Sequence, residues 1–232
     1  MDDAMAEERD LDLGAAGASG RREHERRRAN RERRERERHP RIGGLLLRLR
    51  NAPAHEKAWE TGAAGEEALA KSLLKRCPDV PVLHDRAMPG SRANIDHLAV
   101  APSGIYVIDA KRYRGKIEVR RPIFGDEKLL IAGRDKTKLV EGLKRQVEAV
   151  RVVVESLGRP LPVHGCFCFV NPDGQAGGSG IPTFRTLKVD GCPLYYPRRL
   201  AKRLNRPGEI DVEQTQPLVD LLAQRFPPAS SA

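Results

Sequence analysis

Apolar and polar positions change texture near Trp59. Upstream of it, Arg21 to Arg38 is almost all Arg, Glu, His, Ala and Asn and shows no apolar periodicity. Such a segment cannot bury a face, so it reads as disordered or as a solvated helix, with Glu–Arg pairs such as Glu32–Arg36 supporting the helix. Ile42 to Leu49 is the one apolar patch of this region. It is far too short for a bilayer span and reads as a helix that packs on the main domain, ahead of a membrane-surface or partner contact. From Glu60 to Cys77, residues Ala64, Leu69, Ala70, Leu73 and Leu74 recur at helical spacing, and Pro78 stops the run. Strands are predicted over Val80–His84, Asn94–Ala101 and Gly104–Lys111. Pro102-Ser103-Gly104 supplies the turn between the last two. Further strands are expected at Lys116–Arg120 and, on an edge, at Glu127–Ala132. Lys136–Leu157 has Leu139, Leu143, Val147, Val150 and Val154 on one helical stripe. Leu161–Val170 is apolar on both faces, as a buried strand is. A Gly-rich loop over 171–180, a short strand Thr186–Val189 and helices Pro197–Leu204 and Val212–Phe226 complete the chain. This order predicts an α/β domain, a mixed sheet with helices on its faces. The expected division is an acidic then Arg-rich arm over 1–50, a folded domain over 51–205, and a C-terminal helix and tail over 206–232.

Charge sharpens this division. The chain has 232 residues and a net charge of +10. Residues 1–20 carry six acids and one base, a net −5. Residues 21–50 carry 13 arginines and five glutamates, a net +8, and the remaining 182 residues carry +7. The arm reads equally as a flexible contact for phosphates, which Arg binds well, and as a solubilising tail whose glutamates blunt its field. Aromatics are only 4% of the chain, which argues against a base-stacking platform of several rings. No apolar run reaches the length of a membrane span, and Met1–Leu13 is acidic without an apolar core, so a cytoplasmic protein is expected. Four scattered cysteines fit neither a disulfide framework nor zinc, and read as buried thiols.

The chemistry lies where acids interrupt apolar strands. Asp96 breaks the run Ile95-Asp96-His97-Leu98. Asp109 and Lys111 are two apart and share a strand face with Val107, while Tyr106, Ile108 and Ala110 take the other. Unpaired buried charge is costly, so these three residues need a reason. A hard divalent cation supplies one, since Mg²⁺ takes one or two carboxylates plus water and phosphate oxygens. A lysine beside them suits an attacking water and a phosphoryl transition state. His97 reads as a core histidine. Arg198, Arg199, Lys202, Arg203 and Arg206 form a second basic cluster.

Residues GEEALAKSL (65–73), NIDHLAVAPSGIYVIDAKRYRGKI (94–117) and Gln146 resemble the NERD, or nuclease-related, domain of the restriction-endonuclease-like PD-(D/E)xK nucleases. The resemblance implies a restriction-endonuclease-like core and hydrolysis of phosphodiester bonds in DNA, or in RNA, with Mg²⁺ or Mn²⁺. It implies that Asp96, Asp109 and the Ala110 carbonyl hold the metal, that Glu66 assists, and that Lys111 is the catalytic lysine. Glu67 is the solvated neighbour of Glu66. Arg112, Arg114, Lys116 and Gln146 fall where nucleic acid would be contacted. No helicase motif is present, so a helicase or other DNA-processing activity would have to come from a partner. The alternative reading is an inactive relative that binds nucleic acid or serves as an adaptor.

Overall fold

A computed structural model describes residues 12–40, 54–158, 160–170 and 185–229. The apolar patch Ile42–Leu49 and the Gly-rich loop 171–180 lie outside the described residues. The elements are α1 (Ala18–Arg38), α2 (Ala54–Arg76), β1 (Val82–Ala87), β2 (Asn94–Ala101), β3 (Gly104–Lys111), β4 (Ile117–Arg120), β5 (Lys128–Ile131) and β6 (Arg134–Asp135), followed by α3 (Lys138–Glu155), β7 (Val163–Phe169), β8 (Leu187–Val189), β9 (Cys192–Tyr195), α4 (Pro197–Leu204) and α5 (Val212–Arg225). The fold is α/β, as the alternation of patterns predicts.

The main sheet has six strands in the order β1-β2-β3-β7-β9-β8. β1, β2 and β3 form an antiparallel meander, β3 pairs β7 in parallel, β7 pairs β9 in parallel, and β8 returns antiparallel. Alternate residues feed two cores. One face places Ile105, Val107, Phe167 and Phe169 against α3, α5 and the small sheet, including Leu143, Val150, Leu222 and Phe226. The other places Tyr106, Ile108, Ala110, Cys166 and Cys168 against α2 and α4, through Leu69, Leu73, Leu200 and Leu204. A helix stripe meets a pleated face in each case, which is why the 3.6 and 2.0 periods were readable. All four cysteines are buried and free, as their spacing implied. Among the described residues, no helix is long and apolar enough to cross a membrane.

Four details differ from the sequence reading. β4 does not extend the main sheet but forms a separate three-stranded one with β5 and β6. β9 was not anticipated, because Pro193 and flanking Gly191 masked a four-residue strand. Leu74, expected on the buried stripe of α2, is exposed. The expected disorder of the arm does not hold for Ala18–Arg38, which is helical; its solvated-helix alternative is the one observed. Its first turn is docked rather than free, by backbone and polar contacts that hydrophobic periodicity cannot register.

Tight approach fixes the layers. A Cβ on Gly165 would lie 2.5 Å from Val147 Cγ2, so α3 crosses β7 at a distance only glycine permits. On the other edge, Arg86 is fully buried. Its Nε donates to Phe226 O at 2.6 Å, Nη2 to Ala223 O at 3.1 Å, and Nη1 to Asp12 O at 2.9 Å. The side chain thus satisfies carbonyls at the C-terminal end of α5 and ties them to β1 and to the segment before α1. Replacing Arg86 by Ala leaves those carbonyls buried without a donor. We expect a loss of about 2 kcal/mol or more in urea denaturation; an unchanged midpoint would remove this anchor from the account.

Candidate active site at the end of strands two and three

The site begins with register. β2 and β3 pair from Ala101↔Gly104 to His97↔Ile108, and β1 and β2 pair through His84↔His97 and Arg86↔Ile95. Extending these ladders sets Asp85, Asp96 and Asp109 in one row across three strands. Backbone pairing is not made at this row. The Asp96 carboxylate instead accepts the Ala110 N–H at 2.9 Å, a side-chain bond that replaces the ladder. Asp85 has a left-handed backbone, φ 48°, which turns it out of the regular strand.

Lys111 answers the acids. Its Nζ is ion-paired with Asp109 Oδ1, lies 3.7 Å from Asp96 Oδ2, and donates to Ala110 O at 3.3 Å. Glu66 comes from α2 on the other side of the same pocket, a cavity of about 790 Å³ lined also by Asp96, Ala110, Lys111 and Arg112. The preceding glycine explains how α2 gets so close. A Cβ on Gly65 would sit 2.9 Å from Arg112 Cβ, at the end of β3. Glu67 points away and pairs with Arg21 on the surface.

Electrostatics follow from burial. Desolvation pushes Asp96 up to about 7, with Lys111 opposing the shift and Asp109 adding to it. Desolvation likewise raises Glu66 to about 8, reinforced by Asp96 and Asp85 and opposed by Lys111. Burial works against a charged Lys111, but Asp109 and Asp96 outweigh it and hold the ammonium above its ordinary range. The site is therefore short of positive charge. The carboxylates of Asp96, Asp109 and Glu66 all act on the one ammonium of Lys111.

The donor set suits a hard cation. Carboxylate and carbonyl oxygens are the ligands Mg²⁺ and Mn²⁺ prefer, and Mg²⁺ needs only one or two carboxylates. Among the described residues, no three His, Cys, Asp or Glu side chains already stand as a metal cage. His97 is no ligand candidate. It is buried, and its Nδ1 lies 2.8 Å from His84 Nδ1. Burial lowers the pKa of both rings, which keeps them neutral in the core.

The other predicted residues sort by position. Arg112 lines the pocket, whereas Arg114 is exposed beyond it and Lys116 is paired with Glu118 at 2.7 Å. Gln146 Nε2 donates to Asn94 O at 2.9 Å, bracing the start of β2 two residues before Asp96. Sequence reasoning missed Asp85 because it ended β1 at His84; the Pro89-Gly90 turn was the signal that the strand ran on. It also missed Arg92, which lines the pocket.

The start of α1 closes one side. Gly17 N donates to Glu66 Oε2 at 3.0 Å, and Ser19 donates to Asp85 through N at 2.6 Å and Oγ at 2.7 Å. Two carboxylates thus take the open N–H groups at a helix N-terminus, where negative charge is favoured. Gly17 and Gly20 permit contact with Ala63 of α2.

Residues 61–170 match the family model of the NERD, nuclease-related domain. No curated protein and no solved structure matches the chain.

One pH dependence follows. A carboxyl whose folded pKa is raised to about 8 from an ordinary 4.5 holds a proton in the fold that the unfolded chain releases. Stability from this group is present below pH 4.5 and is lost as pH rises toward 8. Between pH 6.5 and 8 Asp96, raised to about 7, adds to the same loss, whereas His84 and His97, lowered in the fold from an ordinary 6.5, oppose it only near the acid end. Without divalent metal, the melting temperature should fall across that window, and Glu66→Gln should flatten the fall. A wild-type profile as flat as the variant's would contradict the protonated Glu66.

Proposed function

Because residues 61–170 belong to the nuclease-related domain family, we propose that the chain is a divalent-metal-dependent nuclease that hydrolyses phosphodiester bonds in DNA. One observation carries the reading. Asp96 and Lys111, from adjacent strands, line one pocket with Glu66 of α2, and Asp109 is tied to it through its ion pair with Lys111. Asp96, Asp109 and the Ala110 carbonyl would hold Mg²⁺ or Mn²⁺, with Glu66 beside them. The cation, when bound, offsets the charge of the phosphate oxygens and acidifies a bound water.

The chain's own groups supply the rest. Lys111 stays charged because Asp109 and Asp96 flank it. It therefore serves as a donor that orients the attacking water and neutralises the phosphoryl oxygens in the transition state, not as a neutral base. Asp96 is fixed by the Ala110 N–H, so its second oxygen keeps one direction. Glu66, raised to about 8 by burial and its acidic neighbours, would lose its proton once a cation offsets them, and would then stand beside the metal as a carboxylate. Arg92 and Arg112 line the same pocket, where a phosphate backbone would enter. Gln146 acts through Asn94, as a positioning residue for β2.

A second reading, binding without cleavage, draws on the ion pair between Lys111 and Asp109 and on the Gly17 N–H that already occupies Glu66. The two readings separate in one assay. Purified protein with Mg²⁺ or Mn²⁺ should cut DNA, and Asp109→Ala or Lys111→Ala should lower the rate by about 100-fold or more while leaving binding in place. Salt-dependent DNA binding with no cleavage in either metal would establish the binding module instead.

A further inference from the structure

A larger cavity, about 1090 Å³, lies at the opposite end of β3 and β7 from Lys111. Its floor includes Tyr106 and His164, which pair across the two strands, as Lys111 and Phe169 do at the active-site end. Five residues of strand separate the two rows, roughly 17 Å. The walls are α3, the β9 end and α4.

The lining is strongly one-sided in charge. Seven Lys and Arg side chains face it, with a single carboxylate, Glu148. Glu148 is engaged by Arg151 at 2.5 Å, and Lys144 is ion-paired with Asp190. Lys188, Lys202 and Arg206 meet no carboxylate among the described residues. On α4, Arg199, Lys202 and Arg203 recur at spacings of three and four, so one helical face turns them toward the cavity, and Arg206 joins them from just beyond the end of the helix. Like charges gathered in a concavity repel one another and focus a positive potential on whatever enters it.

The remaining lining is aromatic and apolar. Three of the chain's four tyrosines, Tyr106, Tyr195 and Tyr196, are here, with Val147 and Pro193. Tyr106 is buried, with its ring 4.8 Å from the His164 ring and 5.8 Å from the Arg203 guanidinium. Tyr195 and Tyr196 are half-buried and retain surface for a base. The low aromatic content of the chain is thus concentrated beside its cations.

We propose that this cavity binds a free nucleotide carrying two or more phosphates. The phosphates would lie against Lys202, Arg206 and Lys188, and the base against Tyr195 and Tyr196. A lone phosphate uses neither the volume nor the aromatic wall. A nucleic-acid strand held at the metal-ready pocket would have to turn around the sheet to reach it. The site contains no acidic donor set, so binding needs no divalent metal and stands apart from the nuclease reading.

The test is calorimetry on the full chain in EDTA with ATP, GTP, adenosine and a ten-nucleotide single-stranded oligothymidylate. One ATP or GTP should bind per chain, adenosine at least tenfold more weakly, and added salt should weaken the nucleotides. Lys202→Glu combined with Arg206→Glu should reduce nucleotide affinity at least tenfold, with the circular dichroism spectrum and melting temperature retained. If that pair fails to fold, Lys188→Glu in its place should give the same loss. Asp109→Ala should bind nucleotide as the wild type does. No nucleotide binding, or binding untouched by the charge reversals, overturns the proposal. Oligonucleotide binding that the reversals abolish, with no ATP or GTP binding, makes the cavity a strand contact instead.

Discussion

Burying carboxylates at the end of two core strands is possible only if positive charge and N–H donors are brought to them. The ion pair of Lys111 with Asp109, and its approach to Asp96, meets part of that demand. The Ala110 N–H meets another part. What remains unmet raises Asp96 and Glu66 well above the ordinary carboxylate range. Structure and candidate chemistry therefore share one cause. The strands hold acids close together in a desolvated place, and the resulting excess of negative charge is what a cation or a proton would relieve.

The same demand organises the periphery. α2 approaches the strand ends because Gly65 leaves no Cβ to strike Arg112, and this brings Glu66 to the pocket. α1 then places its open N–H groups on Glu66 and Asp85. A helix with almost no apolar face is thus docked by its first turn, while the rest of it carries surface Arg–Glu pairs such as Arg28–Glu32. Such exposed pairs contribute little each. The anchoring rests on the partly buried carboxylates and on small residues at the α1–α2 contact.

Charge is divided between the two ends of the sheet. The candidate-site end mixes buried carboxylates with Lys111, Arg92 and Arg112, and the far end gathers seven bases and one carboxylate around three tyrosines. A net charge of +10 does not distinguish these regions. Helix α4 contributes most to the contrast. Its apolar residues Leu200, Ala201 and Leu204 pack under the sheet, while Arg199, Lys202 and Arg203 are left facing the cavity.

Much was legible in the chain itself. Period-two alternation gave β2 and β3 with their observed ends, and the offset of two placed Asp109 and Lys111 on one face, because side-chain direction in a strand is fixed locally. The helical stripe of Leu69, Ala70 and Leu73 was equally local. Register was not local. The row of Asp85, Asp96 and Asp109 depends on how three strands align, and Asp85 became part of it only through pairing that composition does not encode. The docking of α1 was hidden for a related reason, since its contacts are backbone N–H groups meeting carboxylates 49 and 66 residues away. The basic cavity likewise needed α3, β7, β9 and α4 to meet. Sequence determines which residues must be buried and which face they share; the tertiary structure decides which charges become neighbours, because that depends on contacts between segments distant in the chain.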